Sequence, residues 1–136
     1  KTQNADLIQE AVTKAKSADV AIVCVGLTSF LEGEGRDTDK ELKLPNNQVA
    51  LIKAVAKANP KTIVILNGGV PLEATPWIDD IAGLIDAFYL GERTGDALAD
   101  VLLGDAYPSG KLPFTYIKSW KDSPTYEGYM GEGYDI

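Results

Sequence analysis

Three short apolar runs alternate with segments of helical period, and this alternation restricts the fold more than any other feature of the chain. The runs are VAIVCVG over 20–26, TIVIL over 62–66 and GLIDAFY over 83–89. Uninterrupted runs of this length, rich in β-branched residues, read as strands buried on both faces. Between them, residues 4–18 place Leu7, Ala11 and Ala15 on one stripe, and 46–58 do the same with Val49, Ile52 and Ala56. A third helix is expected over 93–103, with Leu98, Val101 and Leu102 inward. Asn4 stands where it can cap the first helix, Asn59-Pro60 stops the second, and Gly104 lies just past the third. A short helix is expected around Trp77 within 71–80, with the indole in the core, and a last strand over 112–117. Helices alternating with apolar strands predict an α/β domain: a mostly parallel sheet with helices on both faces, a flavodoxin- or Rossmann-like sandwich.

With 136 residues, 45% of them hydrophobic, the chain is expected to form one domain with its core over about 5–120. Residues 121–136 are rich in Tyr and Gly and form either an interdomain loop or a disordered tail. The start at Lys1 suits a processed protein or an excised domain better than a translation start. A net charge of −7 argues against nucleic acid or an anionic membrane as partner, since both require clustered Lys and Arg. The one cysteine, Cys24, excludes an internal disulfide and reads as a small buried hydrophobe. There is no histidine, which removes Ser-His-Asp and Cys-His chemistry and histidine-ligated metals. Acid/base work therefore falls to carboxylates, lysine or tyrosine.

Ligands of open α/β sheets sit beyond the carboxyl ends of the strands, which directs attention to the loops 27–45, 67–70 and 90–95. The segment from Gly104 to Leu112 imitates a phosphate-binding loop. It has five residues between Gly104 and Gly110 where four are needed, and Leu112 stands in place of Ser or Thr. A dinucleotide fingerprint also fails, because Thr38 occupies the place of the third glycine after Gly33 and Gly35. The acidic stretch LEGEGRDTD over 31–39 is the stronger candidate. Carboxylates interleaved with glycine can approach a ligand closely, and Arg36 can pair with one of them. From composition alone a solvated acidic loop is the favoured reading, while the spacing does not suit an EF-hand calcium loop.

The neighbouring motifs narrow the choice. In order they are ADVAIVCVG over 18–26, EGEGRD over 32–37, LKLPNNQ over 42–48, LNGGVPL over 66–72 with Trp77, GERTGDALADVLLGD over 91–105 and PSGKLPFT over 108–115. Over roughly residues 5–124 this series resembles the second, α/β-sandwich domain of glycoside hydrolase family three. The resemblance implies a retaining β-glucosidase in which a TIM-like barrel, absent from this chain, supplies an aspartate nucleophile and most of the sugar pocket. The sandwich domain then contributes the general acid/base glutamate, with no cofactor and with a small terminal β-D-glucoside or oligosaccharide as substrate. In such sequences that glutamate precedes an Asp-Arg pair by a few residues. Counting back from Asp37 selects Glu34, with Glu32 the alternative, because Thr38 replaces the pair's arginine and Arg36 stands earlier. The segments 91–95 and 108–113 are implied to be scaffold. The competing expectation is a non-catalytic α/β scaffold or sugar-binding module, and on either reading the isolated chain is expected to be inactive.

Overall fold

The structure is a computed structural model that describes residues 2–28, 30–33 and 42–126. Helix α1 spans Thr2–Lys16, strand β1 Ala21–Gly26, helix α2 Asn46–Ala58, strand β2 Thr62–Asn67, strand β3 Gly83–Asp86 and helix α3 Thr94–Leu103. Single 3₁₀ turns lie at Ile78–Asp80 and Trp120–Asp122. The three strands form one sheet in the order β1-β2-β3, parallel throughout, with Val23 beside Val64 and Val64 beside Leu84. Parallel neighbours need a crossover between them, and α2 supplies the first. The parallel α/β architecture is the one the alternation predicts.

Register decides which side chains share a face. Ala21, Val23 and Val25 pair with Thr62, Val64 and Leu66, so these six point to one side. That side is the core: Ile52 and Val55 of α2 and Ala15 of α1 pack there, with Leu44, Leu72 and Trp77 completing it. Trp77 is fully buried, as expected of a core indole. Burying each such side chain contributes about 1.5–3 kcal/mol, so this one face carries most of the hydrophobic stabilisation.

The other face differs from expectation. Central β2 is buried almost throughout, Ile65 included, whereas β1 alternates and leaves Ile22 half exposed and Cys24 at the surface. Cys24 is therefore not the buried hydrophobe that its apolar neighbours suggested. The run is apolar enough for burial on both sides, but β1 is an edge strand of the described sheet, and its outward face is left to solvent.

Three further boundaries move. Helix α1 begins at Thr2, which places Asn4 inside the helix rather than at its cap. Strand β3 ends at Asp86, three residues early, because Phe88 takes a left-handed backbone with φ 49°. The Asp86 carboxylate accepts the Phe88 N–H at 3.3 Å and supports that turn. Residues 112–117 form no strand: the rings of Phe114 and Tyr116 pack in series on Phe88, with centroids 5.8 and 5.6 Å apart. Helix α3 ends as expected at Gly104, whose φ of 88° only glycine adopts without strain. Its Leu98, Val101 and Leu102 are half-buried and no residue of α3 is fully buried. Of the Tyr- and Gly-rich stretch, Tyr126 lies among the described residues and packs edge-on against Trp120.

Candidate active site

All three strands run the same way, so Gly26, Asn67 and Asp86 end at one edge of the sheet and the loops that follow meet there. The first exit is tightly held. The side-chain amide of Gln48, in the first turn of α2, accepts the Gly26 N–H and donates to the Gly26 carbonyl, both at 2.9 Å. The Leu27 N–H continues the ladder by donating to the Asn67 carbonyl at 2.9 Å. A Cβ at Gly26 would lie 1.9 Å from the Asn67 carbonyl oxygen, so only glycine permits this approach of two backbones.

The chain then folds back on itself. The N–H groups of Leu31 and Glu32 both donate to the Thr28 carbonyl, at 2.8 and 2.9 Å, and this turn returns Glu32 towards the sheet edge. The Glu32 carboxylate accepts the Gly69 N–H on both oxygens, at 3.1 and 3.2 Å. The Tyr89 hydroxyl donates to Oε2 of the same carboxylate. One carboxylate thus ties together the loops that follow β1, β2 and β3. Gly69 leaves room for this junction, since a Cβ would stand 2.6 Å from Glu32 Oε1 and 3.2 Å from the Tyr89 ring and would displace the carboxylate. The hydrogen bond to Glu32, then burial and the carboxylate charge, push the Tyr89 phenol up to about 12, against a smaller opposing effect of the Gly69 backbone.

A second carboxylate stands at the end of β3. Asp86 accepts the Tyr116 hydroxyl at 2.5 Å on one oxygen and the Phe88 N–H on the other. Burial first, then this bond to Asp86, hold the Tyr116 phenol well above its ordinary value. Asp86 is thereby committed to shaping the turn after β3. Exposed apolar side chains flank both halves of the junction: Phe30, 83% exposed, and Leu31 precede Glu32 in sequence, and Leu90 follows Tyr89. Among the described residues no group of three or more His, Cys, Asp or Glu is placed to hold a metal ion.

Of the two glutamates singled out in the sequence, Glu32 is described and sits at the junction, while Glu34 lies outside the described residues, as do Arg36 and Asp37. The loop 67–70 contributes Gly69, as expected. Among the described residues the loop 90–95 contributes local contacts, a Thr94 hydroxyl to the Gly91 carbonyl and an Arg93–Asp96 ion pair at 2.6 Å. The residue that reaches the junction is Tyr89, which the sequence reading placed inside a strand. The positive φ at Phe88 turns it out of the sheet, and the aspartate two residues before Phe88 is the local sign of that turn.

The class these features define is a parallel α/β domain with a carboxylate-bearing loop fixed at the carboxyl ends of its strands. The sequence matches the Glycosyl hydrolase family 3 C-terminal domain over residues 1–135, and the chain belongs to that family. Beta-glucosidase B of Emericella nidulans is 40% identical over 131 residues, which cover 95% of this chain and 15% of that protein. Thermostable beta-glucosidase B of Acetivibrio thermocellus is 42% identical over 127 residues, 93% of this chain and 17% of that protein. Among solved structures, a GH3 beta-glucosidase of Bifidobacterium adolescentis superposes with a TM-score of 0.86 at 38% identity, over 92% of this chain and 18% of that one. The chain therefore spans less than a fifth of the length of these relatives.

Proposed function

We propose that this domain supplies the general acid/base glutamate of a retaining β-glucosidase, with Glu34 as the proton donor and the nucleophilic aspartate on a barrel domain of the full-length protein. The observation that carries the reading is the anchored acidic loop: Glu32 is fastened at the carboxyl edge of the sheet, two residues before Glu34. Both oxygens of Glu32 already accept hydrogen bonds, so Glu32 suits holding the loop and leaves proton transfer to its neighbour. Family membership and the names of the relatives support a glycoside as substrate, and a terminal β-D-glucoside is the class assigned here. The exposed apolar side chains beside the junction suit a site that is closed by another domain.

Retention of configuration requires two carboxyl groups about 5–5.5 Å apart on either side of the scissile bond. In the first half-reaction Glu34 gives its proton to the leaving-group oxygen while the barrel aspartate attacks the anomeric carbon. The leaving alcohol departs and a glycosyl ester remains. In the second half Glu34, now ionised, takes a proton from the water that attacks that ester, and the aspartate is released. The group must be protonated at the start, which a position partly desolvated by the sugar ring favours.

In the full-length enzyme, Glu34→Ala is expected to lower kcat on an alkyl β-glucoside by about 10²–10⁴-fold. Added azide is expected to restore part of the turnover on an activated aryl β-glucoside and to yield the β-glycosyl azide. Unchanged activity of Glu34→Ala, with no azide rescue of Glu32→Ala, would leave the domain as a non-catalytic scaffold or sugar-binding module. Azide rescue of Glu32→Ala with no effect at Glu34 would move the role to Glu32.

A further inference from the structure

We infer that Tyr89 is a positioning residue for the acid/base loop: its hydroxyl, bonded to Glu32, locks the acidic loop to the loop after β3 and so sets where Glu34 stands. The inference rests on the reading of Glu34 as the proton donor. It adds a residue that takes no part in the proton transfers themselves.

The argument begins with the spacing. Glu34 follows Glu32 by two residues with Gly33 between them, so the position of Glu32 bounds where Glu34 can stand. Among the described residues, the fixed point before Glu34 in sequence is a side chain two positions away. That fixed point is the Glu32 carboxylate, which meets two donors from two different loops. The Gly69 N–H alone, shared between both oxygens, fixes a distance but lets the carboxylate swing about it. The Tyr89 hydroxyl on Oε2 removes that freedom, because a second donor from another direction fixes the plane of the carboxylate as well.

Tyr89 is itself fixed from below. Phe88 is held in its left-handed conformation by Asp86, and Asp86 by the Tyr116 hydroxyl, so the turn that delivers the phenol is supported by the end of β3. Tyr89 is 55% exposed and lies outside the core cluster, so packing does not account for its place. The absence of a side chain at Gly69 fits the same purpose, since a Cβ there would meet both the Glu32 carboxylate and the Tyr89 ring.

The test is the Tyr89→Phe variant of the full-length enzyme, with two substrates and with Glu34→Ala measured alongside. An alkyl β-glucoside needs both the acid and the base duty of Glu34. A dinitrophenyl β-glucoside with added azide needs neither, because its leaving group departs unaided and azide attacks without a base. Tyr89→Phe is expected to lower kcat about tenfold on the first, as a misplacement well under 1 Å should, with little change in KM. On the second it should match the wild type. Combined with Glu32→Ala, the substitution should add no further loss, since the two side chains act through one bond.

Equal losses on both substrates would mean a general structural role and overturn the inference, as would wild-type activity on the alkyl glucoside. Losses that multiply in the double variant would overturn it too. Glu34→Ala separates the two layers. If it retains full activity, the reading of Glu34 falls and the inference falls with it. If it shows azide rescue while Tyr89→Phe behaves as wild type, only the inference falls.

Discussion

Two glycines at or just past the strand ends stand close to a neighbour, and the consequences of adding a side chain differ. At Gly69 the obstacle is the far end of the Glu32 side chain, 2.6 Å from the added Cβ, and a flexible carboxylate can move aside. Gly69→Ala is therefore expected to cost less than about 1 kcal/mol in folding, read as Tm, while displacing Glu32 and lowering kcat of the full-length enzyme. At Gly26 the obstacle is backbone, the Asn67 carbonyl oxygen, and nothing there can yield without parting β1 from β2. Tyr89 offers a spectroscopic check on the same junction. Its phenol, pushed up to about 12 by Glu32, should ionise later than an ordinary tyrosine in a phenolate titration, and Glu32→Ala should return it towards 10. The folded-state value is raised, so the bond stabilises the fold fully below pH 10, where both states are protonated. That stabilisation is lost as pH rises through 12, and the loss should be missing in Tyr89→Phe.

At the scale of elements, one buried residue joins three of them. Asn59 ends α2, and its side-chain amide donates to the carbonyls of Ala15, in the last turn of α1, and of Ala18 just past it, at 3.0 and 2.9 Å. Its carbonyl oxygen accepts the Lys61 N–H at 2.9 Å, just before β2, and the Thr62 hydroxyl donates to its main-chain oxygen at 2.6 Å. Asn59→Ala removes the side-chain partner of two carbonyls and an N–H, of which the Ala15 carbonyl keeps only the Ala18 N–H at 3.3 Å, and is expected to destabilise by about 1–3 kcal/mol, measured by urea unfolding. The bounds of α2 were legible because periodicity and the Asn-Pro stop agree. The end of β3 was not, because GLIDAFY is apolar enough to continue as a strand. What ends it is a carboxylate bond to its own backbone, together with the Tyr116 hydroxyl from 30 residues away and the Phe114 ring on Phe88. The same packing explains why 112–117 is no strand: Phe114 and Tyr116 spend their rings on Phe88 and Asp86 rather than on a ladder.

As a whole molecule the domain holds an anchored loop and an apolar rim, and the chemistry proposed for it requires a second carboxylate from outside the described residues. The purified 136-residue chain is accordingly expected to leave an aryl β-glucoside unhydrolysed, with turnover by the chain alone counting against the division of labour proposed here. The sequence by itself determined the order of α1 to α3 and β1 to β3, the glycines at the strand ends and the acidic loop as the place to look. These are local or periodic properties, written within a few residues of where they act. Only the tertiary structure decided that β1 shows Ile22 and Cys24 to solvent, because exposure depends on what packs over a face. It alone decided, too, that Glu32 meets Tyr89, a partner 57 positions along the chain. No period or motif encodes such a pair; it exists because three parallel strands end at one edge and bring their loops together.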